Sequence, residues 1–115
     1  MKKLNELLGT ELPIIQGGMA NIADGAFAAA CSNAGALGMI ATGAWDADRV
    51  RSEIRRAREL TDKPFGVNLM LMNPIAGELA QVITEERVAV VTTGAGNPGQ
   101  YVPAWKDVGI KVIPV

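Results

Sequence analysis

Residues 13–20 read PIIQGGMA. An apolar run breaks into two adjacent glycines, a methionine and then a small residue. Paired glycines after a strand let the backbone turn sharply and leave no side chain above it. The segment reads as the end of a first strand, at residues 12–15, followed by a turn whose bare peptide groups a flat ligand could lie against. The local sequence fits a simple tight turn between strand and helix equally well.

Four more apolar runs follow: LGMIA at 37–41, FGVNLML at 65–71, VAVV at 88–91 and IKVIPV at 110–115. Short continuous apolar runs mark strands covered on both faces. Helical patterns lie between them. In residues 21–34, Phe27, Ala30, Cys31 and Ala34 share one helical face, which makes Cys31 a small buried hydrophobe. Asp46 or Asp48 caps a helix running to residue 60, with Val50, Ile54, Ala57 and Leu60 as its apolar stripe. Asn73 as cap and Pro74 as first residue open another helix, with Ile75, Leu79, Val82 and Ile83 facing inward. Residues 100–108 form a short helix with Tyr101 and Trp105 on one side, and residues 3–8 a short opening one. This alternation predicts parallel βα units with right-handed crossovers in a single domain spanning residues 1–115.

Composition narrows the function classes. A chain of 115 residues with a net charge of −1 and no long basic run offers nothing to a nucleic acid or an anionic membrane. No apolar run reaches the roughly 18 residues of a membrane span, and the start, MKKLNELLGTELP, is not a secretory signal. One cysteine, Cys31, excludes an intrachain disulfide and fits a reducing compartment, so the expected location is the cytoplasm. There is no histidine. The commonest general acid/base and a common metal ligand are therefore missing, and no metal site is expected. Chemistry at this chain must come from a cofactor or from groups outside these residues. Arg49, Arg51, Arg55, Arg56 and Arg58 are interleaved with Asp46, Asp48, Glu53 and Glu59, and read as a solvated helix face with an Arg55–Glu59 pair.

The loops carry the functional signal. QGGMAN, ATGA, NLMLMNP and TTGAGNPG each follow a strand. Gly94, Gly96 and Gly99 match the spacing of a dinucleotide-binding turn, but such a turn belongs after the first strand of its fold, and Pro98 removes an N–H that could face phosphate. A ligand-lining loop is the better reading. Asn68 interrupts an apolar strand, and an amide placed there offers both donor and acceptor to a heterocycle edge. Met19, Met70 and Met72 are candidate apolar walls. Thr92 and Thr93 either bond a ligand or cap the loop. The fold class is thus α/β, with parallel (βα) units forming the N-terminal part of a TIM (β/α)8 barrel, truncated near the fifth strand; a whole barrel takes about 250 residues, and its loops after the strands converge on one face.

Several stretches together, PIIQGGMA, ADGAFAAACSNAGALGMI, TDKPFGVNLML, VVTTGAGNP and GIKVIPV, resemble the N-terminal part of the flavin-dependent (type II) enoyl-acyl-carrier-protein reductases, close relatives of the nitronate monooxygenases. The resemblance implies FMN at the C-terminal face of a barrel and reduction of it by NADPH or NADH. Hydride then passes to the β-carbon of a trans-2-enoyl thioester on acyl carrier protein. It implies that Gly17, Gly18, Met19 and Ala20 lie along the flavin ring, that Asn68 and Thr93 belong to the cofactor site, and that Gly94 and Ala95 line the substrate pocket. The family's catalytic histidine has no counterpart within residues 1–115, nor do its phosphate-binding glycines. The complete enzymes are homodimers, so the expected partners are acyl carrier protein, a second copy and a complementary C-terminal piece of barrel. The alternatives are nitronate oxidation on the same flavin, and a cofactor-free half-barrel with a structural role.

Overall fold

The computed structural model describes residues 1–115. Four strands, β1 (Gly38–Ala41), β2 (Phe65–Met70), β3 (Val90–Gly94) and β4 (Lys111–Pro114), form one parallel sheet in chain order. Five helices alternate with them: α1 (Leu4–Leu8), α2 (Gly25–Asn33), α3 (Ala47–Leu60), α4 (Ala76–Glu86) and α5 (Val102–Asp107). The sheet is open and its parallel order matches the N-terminal part of a TIM barrel.

The expected first strand is reduced to one parallel bridge, Ile15 to Leu37. The reason is local. Pro13 has no N–H to give a ladder. At the next rung the side chain of Gln16 replaces backbone: its Oε1 accepts from Met39 N at 2.7 Å. β3 runs later than expected because the β-branched Thr92 and Thr93 continue the pairing, opposite Asn68 and Leu69.

Successive side chains of a strand point to opposite faces. Ile40, Val67, Leu69 and Val91 face the helices and join Ile54, Leu79, Ile83 and Trp105 in the main core. Trp105 is fully buried, its ring 5.5 Å from that of Tyr101, and its indole N–H reaches Ala80 O at 3.4 Å. Leu37, Met39 and Val90 face the other way, packed with Leu8, Ile15 and Ile113. In a closed barrel this second face is the interior.

Helix α2 departs from its sequence pattern. It starts at Gly25, with Asp24 capping Phe27 N at 2.8 Å, because Asn21 takes a left-handed φ of 66° and residues before it form a turn. Its buried face is Gly25, Ala28, Ala29 and Ser32, so Ala30 and Ala34 are exposed and Cys31 is half-buried. The helix is wedged rather than amphipathic. A Cβ on Gly38 would stand 1.9 Å from Ala28 O, and one on Gly25 2.2 Å from Glu53 O. Small residues here serve backbone approach, and an apolar periodicity carries no phase.

Helix α3 follows its pattern at Val50, Ile54 and Ala57, while Leu60 is exposed. The Arg55–Glu59 pair does not form. The i,i+4 pair is Arg49–Glu53, at 2.8 Å. Arg51, Arg55 and Arg58 instead converge on the Glu86 carboxylate of α4, at 2.8, 3.2 and 3.1 Å. Burial pushes the Glu86 carboxyl up, but Arg55 and Arg51 outweigh it and hold it below its ordinary value. Helix α4 begins later than the Asn73-Pro74 signal; Asn73 Oδ1 accepts from Ile75 N at 3.0 Å, in a turn that precedes the helix.

Candidate functional site at the strand ends

Four loops meet above the C-terminal ends of the strands. The first begins at Gln16, whose main-chain N–H bonds Leu37 O at 2.9 Å while its side chain holds Met39 and turns back to Gly17 O. Gln16 thus pins the start of the glycine pair to β1. Beyond it, the chain folds over through Met19 O, which accepts from both Ile22 and Ala23, and Ala23 O accepts from Ala41 N at 2.9 Å.

The two glycines differ. A Cβ on Gly18 would meet Asn68 Cβ at 3.2 Å and Ala41 Cβ at 3.5 Å. Gly18 therefore lies directly on the ends of β1 and β2. A Cβ on Gly17 would meet nothing within 4 Å, and its φ is not in the left-handed region. Neither packing nor backbone conformation demands glycine at that position. Open space above an exposed peptide is what a flat ligand requires.

Asn68 sits below this loop and is held at three points. Its backbone is in register with Ala41 and Thr92. Its main-chain oxygen accepts from Thr42 Oγ1 at 3.1 Å. Its side-chain Oδ1 accepts from Thr92 Oγ1 at 2.8 Å. The carboxamide N–H groups have no partner in the chain and are not enclosed. One layer down, Gly66 makes room for the Met39 side chain, since a Cβ there would stand 2.7 Å from Met39 Sδ and from Val90 O. The polar pair therefore rests on a filled apolar floor.

The register separates the two threonines. Thr92 shares the Asn68 face; Thr93 pairs with Leu69, which faces the helices, and is fully buried with its hydroxyl unpartnered. The side chain of Thr93 is thus not brought to Gly17, Gly18 and Asn68. The loop after β3 adds Gly94 and Ala95. Gly94 passes 3.7 Å from Met70 Sδ, measured to the position of a Cβ, and Leu71 N bonds Gly94 O at 2.9 Å. Ala95 has a φ of 58°, a left-handed conformation that costs a non-glycine residue about 1 kcal/mol or more. Strain of that kind collects at binding loops. Gly99 N–H is taken by Asn97 Oδ1 at 2.8 Å, and α5 begins only at Val102. The glycines at 94, 96 and 99 therefore do not present a phosphate cradle on a helix end.

Met19, Met70 and Met72 are exposed around the face. Ala20 lies in the same loop, 3.7 Å from the position of a Cβ on Gly43, and Asn73 Nδ2 ties Gly43 O at 3.3 Å. Residues 16–20, 42–44, 71–73 and 95–99 contain no ionisable side chain. The perturbed groups, Arg51, Glu85 and Glu86, lie on α3 and α4, behind the sheet. No group of three or more His, Cys, Asp or Glu is arranged around a metal position. The face offers shape, peptide surface and an amide donor, and no proton-transfer group. Gln16 is the member that sequence reasoning left without a role, while Thr92, read with Thr93 as a ligand contact or a loop cap, bonds the Asn68 carboxamide. Thr92 needs the strand register to be told from Thr93, and the signal for Gln16 is its position directly after the apolar run.

The nitronate monooxygenase family model matches residues 1–115. The chain belongs to that family. Among solved structures it is similar to FabK from Thermotoga maritima, with 48% identity and a TM-score of 0.95 over 99% of this chain and 37% of that one. It is also similar to a nitroalkane oxidase from Streptomyces ansochromogenes, at 26% identity and a TM-score of 0.86 over 98% of this chain and 42% of that one. Among curated proteins of this family's kind, a nitronate monooxygenase from Paraburkholderia phytofirmans is 46% identical over 69% of this chain and 22% of its own length. A (3aS,4S,5R,7aS)-5-hydroxy-7a-methyl-1-oxo-octahydro-1H-indene-4-carboxyl-CoA dehydrogenase from Mycobacterium tuberculosis is 34% identical over 96% of this chain and 31% of its own length. The matches span between 22% and 42% of these relatives' own length. This is an oxidoreductase-family chain with the FabK fold over the matched part, and no helix in it is long and apolar enough to cross a membrane.

Proposed function

We propose that this chain is the N-terminal portion of an FMN-dependent enoyl-acyl-carrier-protein reductase, and that residues 1–115 supply the ring side of the flavin site. The observation that carries this reading is the likeness to FabK, an enoyl-acyl-carrier-protein reductase II, which extends over nearly the whole chain; the likeness to the Paraburkholderia enzyme covers a shorter stretch. A CoA thioester in the name of the mycobacterial relative favours the same substrate class.

The residues present fit a flavin. Gly17 and Gly18 leave peptide surface bare, Met19 and Ala20 border it, and Asn68 presents unpartnered N–H groups beside Gly18. In this proposal Asn68 donates to the pyrimidine edge. Gly94 and Ala95 line the neighbouring substrate pocket, and Thr93 enters only by anchoring the start of that loop. When bound, FMN supplies hydride transfer between NADPH or NADH and the enoyl β-carbon. The chain's own part is to bind and orient the ring and to keep side chains off one of its faces. Proton donation and the phosphate grip come from outside these residues, and acyl carrier protein and a second copy are the proposed partners of the complete enzyme. We place the reaction in the cytoplasm.

The second reading, nitronate oxidation, is favoured by the family model. Anaerobic mixing separates the two. With the flavin-loaded protein, a crotonyl thioester should reoxidise reduced flavin and nitroalkanes should fail to reduce it; the opposite pattern overturns the reductase reading.

A further inference from the structure

We propose that the groove between the loops at 43–45 and 70–75 is the subsite for the acyl chain of the substrate, and that it sets which chain lengths the site accepts. The proposal rests on the reductase reading above and adds to it the place where the hydrocarbon tail lies.

Gly43, Trp45, Met70, Met72, Pro74 and Ile75 line a groove of about 500 Å³. That volume lies within the roughly 300–1,000 Å³ of small-molecule sites. Ala44 and Asn73 complete the lining, and no ionisable side chain enters it. The walls are held from behind. Trp45 and Ile75 pack against the main core. The Arg49 guanidinium stands 4.5 Å over the Trp45 ring and is itself fixed by Glu53 at 2.8 Å. Trp45 N bonds Thr42 O at 3.0 Å, and Asn73 Nδ2 ties the two loops together through Gly43 O at 3.3 Å. The methionines are the soft part of the lining. Met72 is 78% exposed and Met70 44%, and unbranched thioether side chains adapt to irregular apolar shapes.

Continuity with the candidate site commits the occupant. Met70 belongs to both places: it lines the groove, and its Sδ is 3.7 Å from the position of a Cβ on Gly94, in the proposed substrate pocket. At the other loop, the position of a Cβ on Gly43 is 3.7 Å from Ala20, which borders the glycine pair. The groove therefore opens onto the face above Gly18 and Asn68 and leads away from it. Both walls come from the loops after β1 and β2, away from the edge strand β4, where further strands of a barrel would join. A 2-enoyl thioester with its reacting carbons over that face extends two ways, a polar carrier arm on one side and a hydrocarbon tail on the other. An uncharged apolar groove fits the tail. Each methylene moved into it from water is worth roughly fourfold in affinity.

The test uses the complete, flavin-loaded enzyme that carries residues 1–115. Calorimetric titration compares decanoyl-CoA with butanoyl-CoA, saturated thioesters that carry no double bond to reduce. The wild type should bind the longer chain at least roughly tenfold more tightly. Ala44→Asp and Met72→Glu each place a carboxylate in the groove, from different loops and at exposed positions. In both, the preference should fall to within about threefold, because the tail would have to desolvate the charge. Met72→Leu should keep the wild-type preference. The kcat/KM ratio of 2-decenoyl-CoA to crotonyl-CoA should move in the same order across the variants. A wild type without chain-length preference, or an undiminished preference in both carboxylate variants, overturns the proposal. Dissociation of an oligomer by either carboxylate variant in sedimentation velocity also overturns it, because a second copy would then cover the groove. If the wild type reduces neither enoyl thioester, the reductase reading fails, and the titration with the saturated thioesters still decides the groove.

Discussion

The two faces of the sheet are built from the same strands and differ in what their alternate residues do. Toward the helices stand Ile40, Val67, Leu69 and Val91, fully buried against Ile54, Leu79, Ile83 and Trp105. Toward the other side, at the C-terminal ends, stand Asn68 and Thr92, with Ala41 beside them and Gly18 above. One face is apolar and closed; the other is polar at its rim and bare of side chains where the glycine pair crosses. Stability is thus concentrated behind the sheet, and the recognition we propose lies in front of it. A one-residue shift in β3 would exchange the roles of Thr92 and Thr93, since strand parity alone assigns each to its face.

Three substitutions probe that contrast. Trp105→Ala removes the largest fully buried side chain and should cost about 3–5 kcal/mol in urea denaturation. A loss below about 1 kcal/mol would mean that the helix face does not carry the fold. Gly38→Ala drives a methyl into Ala28 O and should cost about 1–3 kcal/mol through overpacking; a neutral result would deny the close seating of α2. Asn68→Ala acts on the other face. It should weaken FMN binding roughly tenfold while lowering stability by less than about 1 kcal/mol. Equal effects on both would erase the division between the faces.

The smallest effect is electrostatic and lies on the outer helices. Glu86 is held below its ordinary carboxyl value by Arg55 and Arg51 against the opposing push of burial. A lowered folded-state value contributes stability above the unfolded value and loses it as pH falls through the folded one. Wild-type stability should therefore fall as pH drops below the ordinary value of 4.5. Glu86→Gln should fall less steeply in that window, and flavin affinity should not follow either curve. Identical pH profiles for the two proteins would show that the Arg51–Arg55–Arg58 cluster on Glu86 is not linked to folding.

Much of this architecture is legible in the sequence, and the exceptions have physical causes. β2 and α3 are plain because a continuous apolar run and a helical stripe each carry one period. Helix α2 is legible as an element but not in its facing, since alanines and glycines bury equally well on any side until the close approach of Gly25 to Glu53 is known. The first strand is overread because Gln16 supplies with its side chain what a further rung would supply with backbone. The glycine pair and Asn68 stand out as candidates because each breaks an apolar run. Their adjacency does not, because it depends on a loop folding back over β2. The arginine cluster reads as a solvated face; its convergence on Glu86 joins α3 to α4, a long-range partnership that spacing within α3 cannot reveal.

We propose the face above Gly17, Gly18 and Asn68 as a flavin platform independent of the core. Gly17→Val tests it most directly, because a side chain there enters open space and touches nothing in the chain. FMN titration by fluorescence, paired with thermal melting of the flavin-free proteins, is the measurement. In the complete enzyme that carries residues 1–115, the wild type should bind FMN, Gly17→Val should lose binding by at least roughly tenfold, and both should melt at the same temperature. Undiminished binding by Gly17→Val, or a loss accompanied by a matching fall in melting temperature, would contradict it.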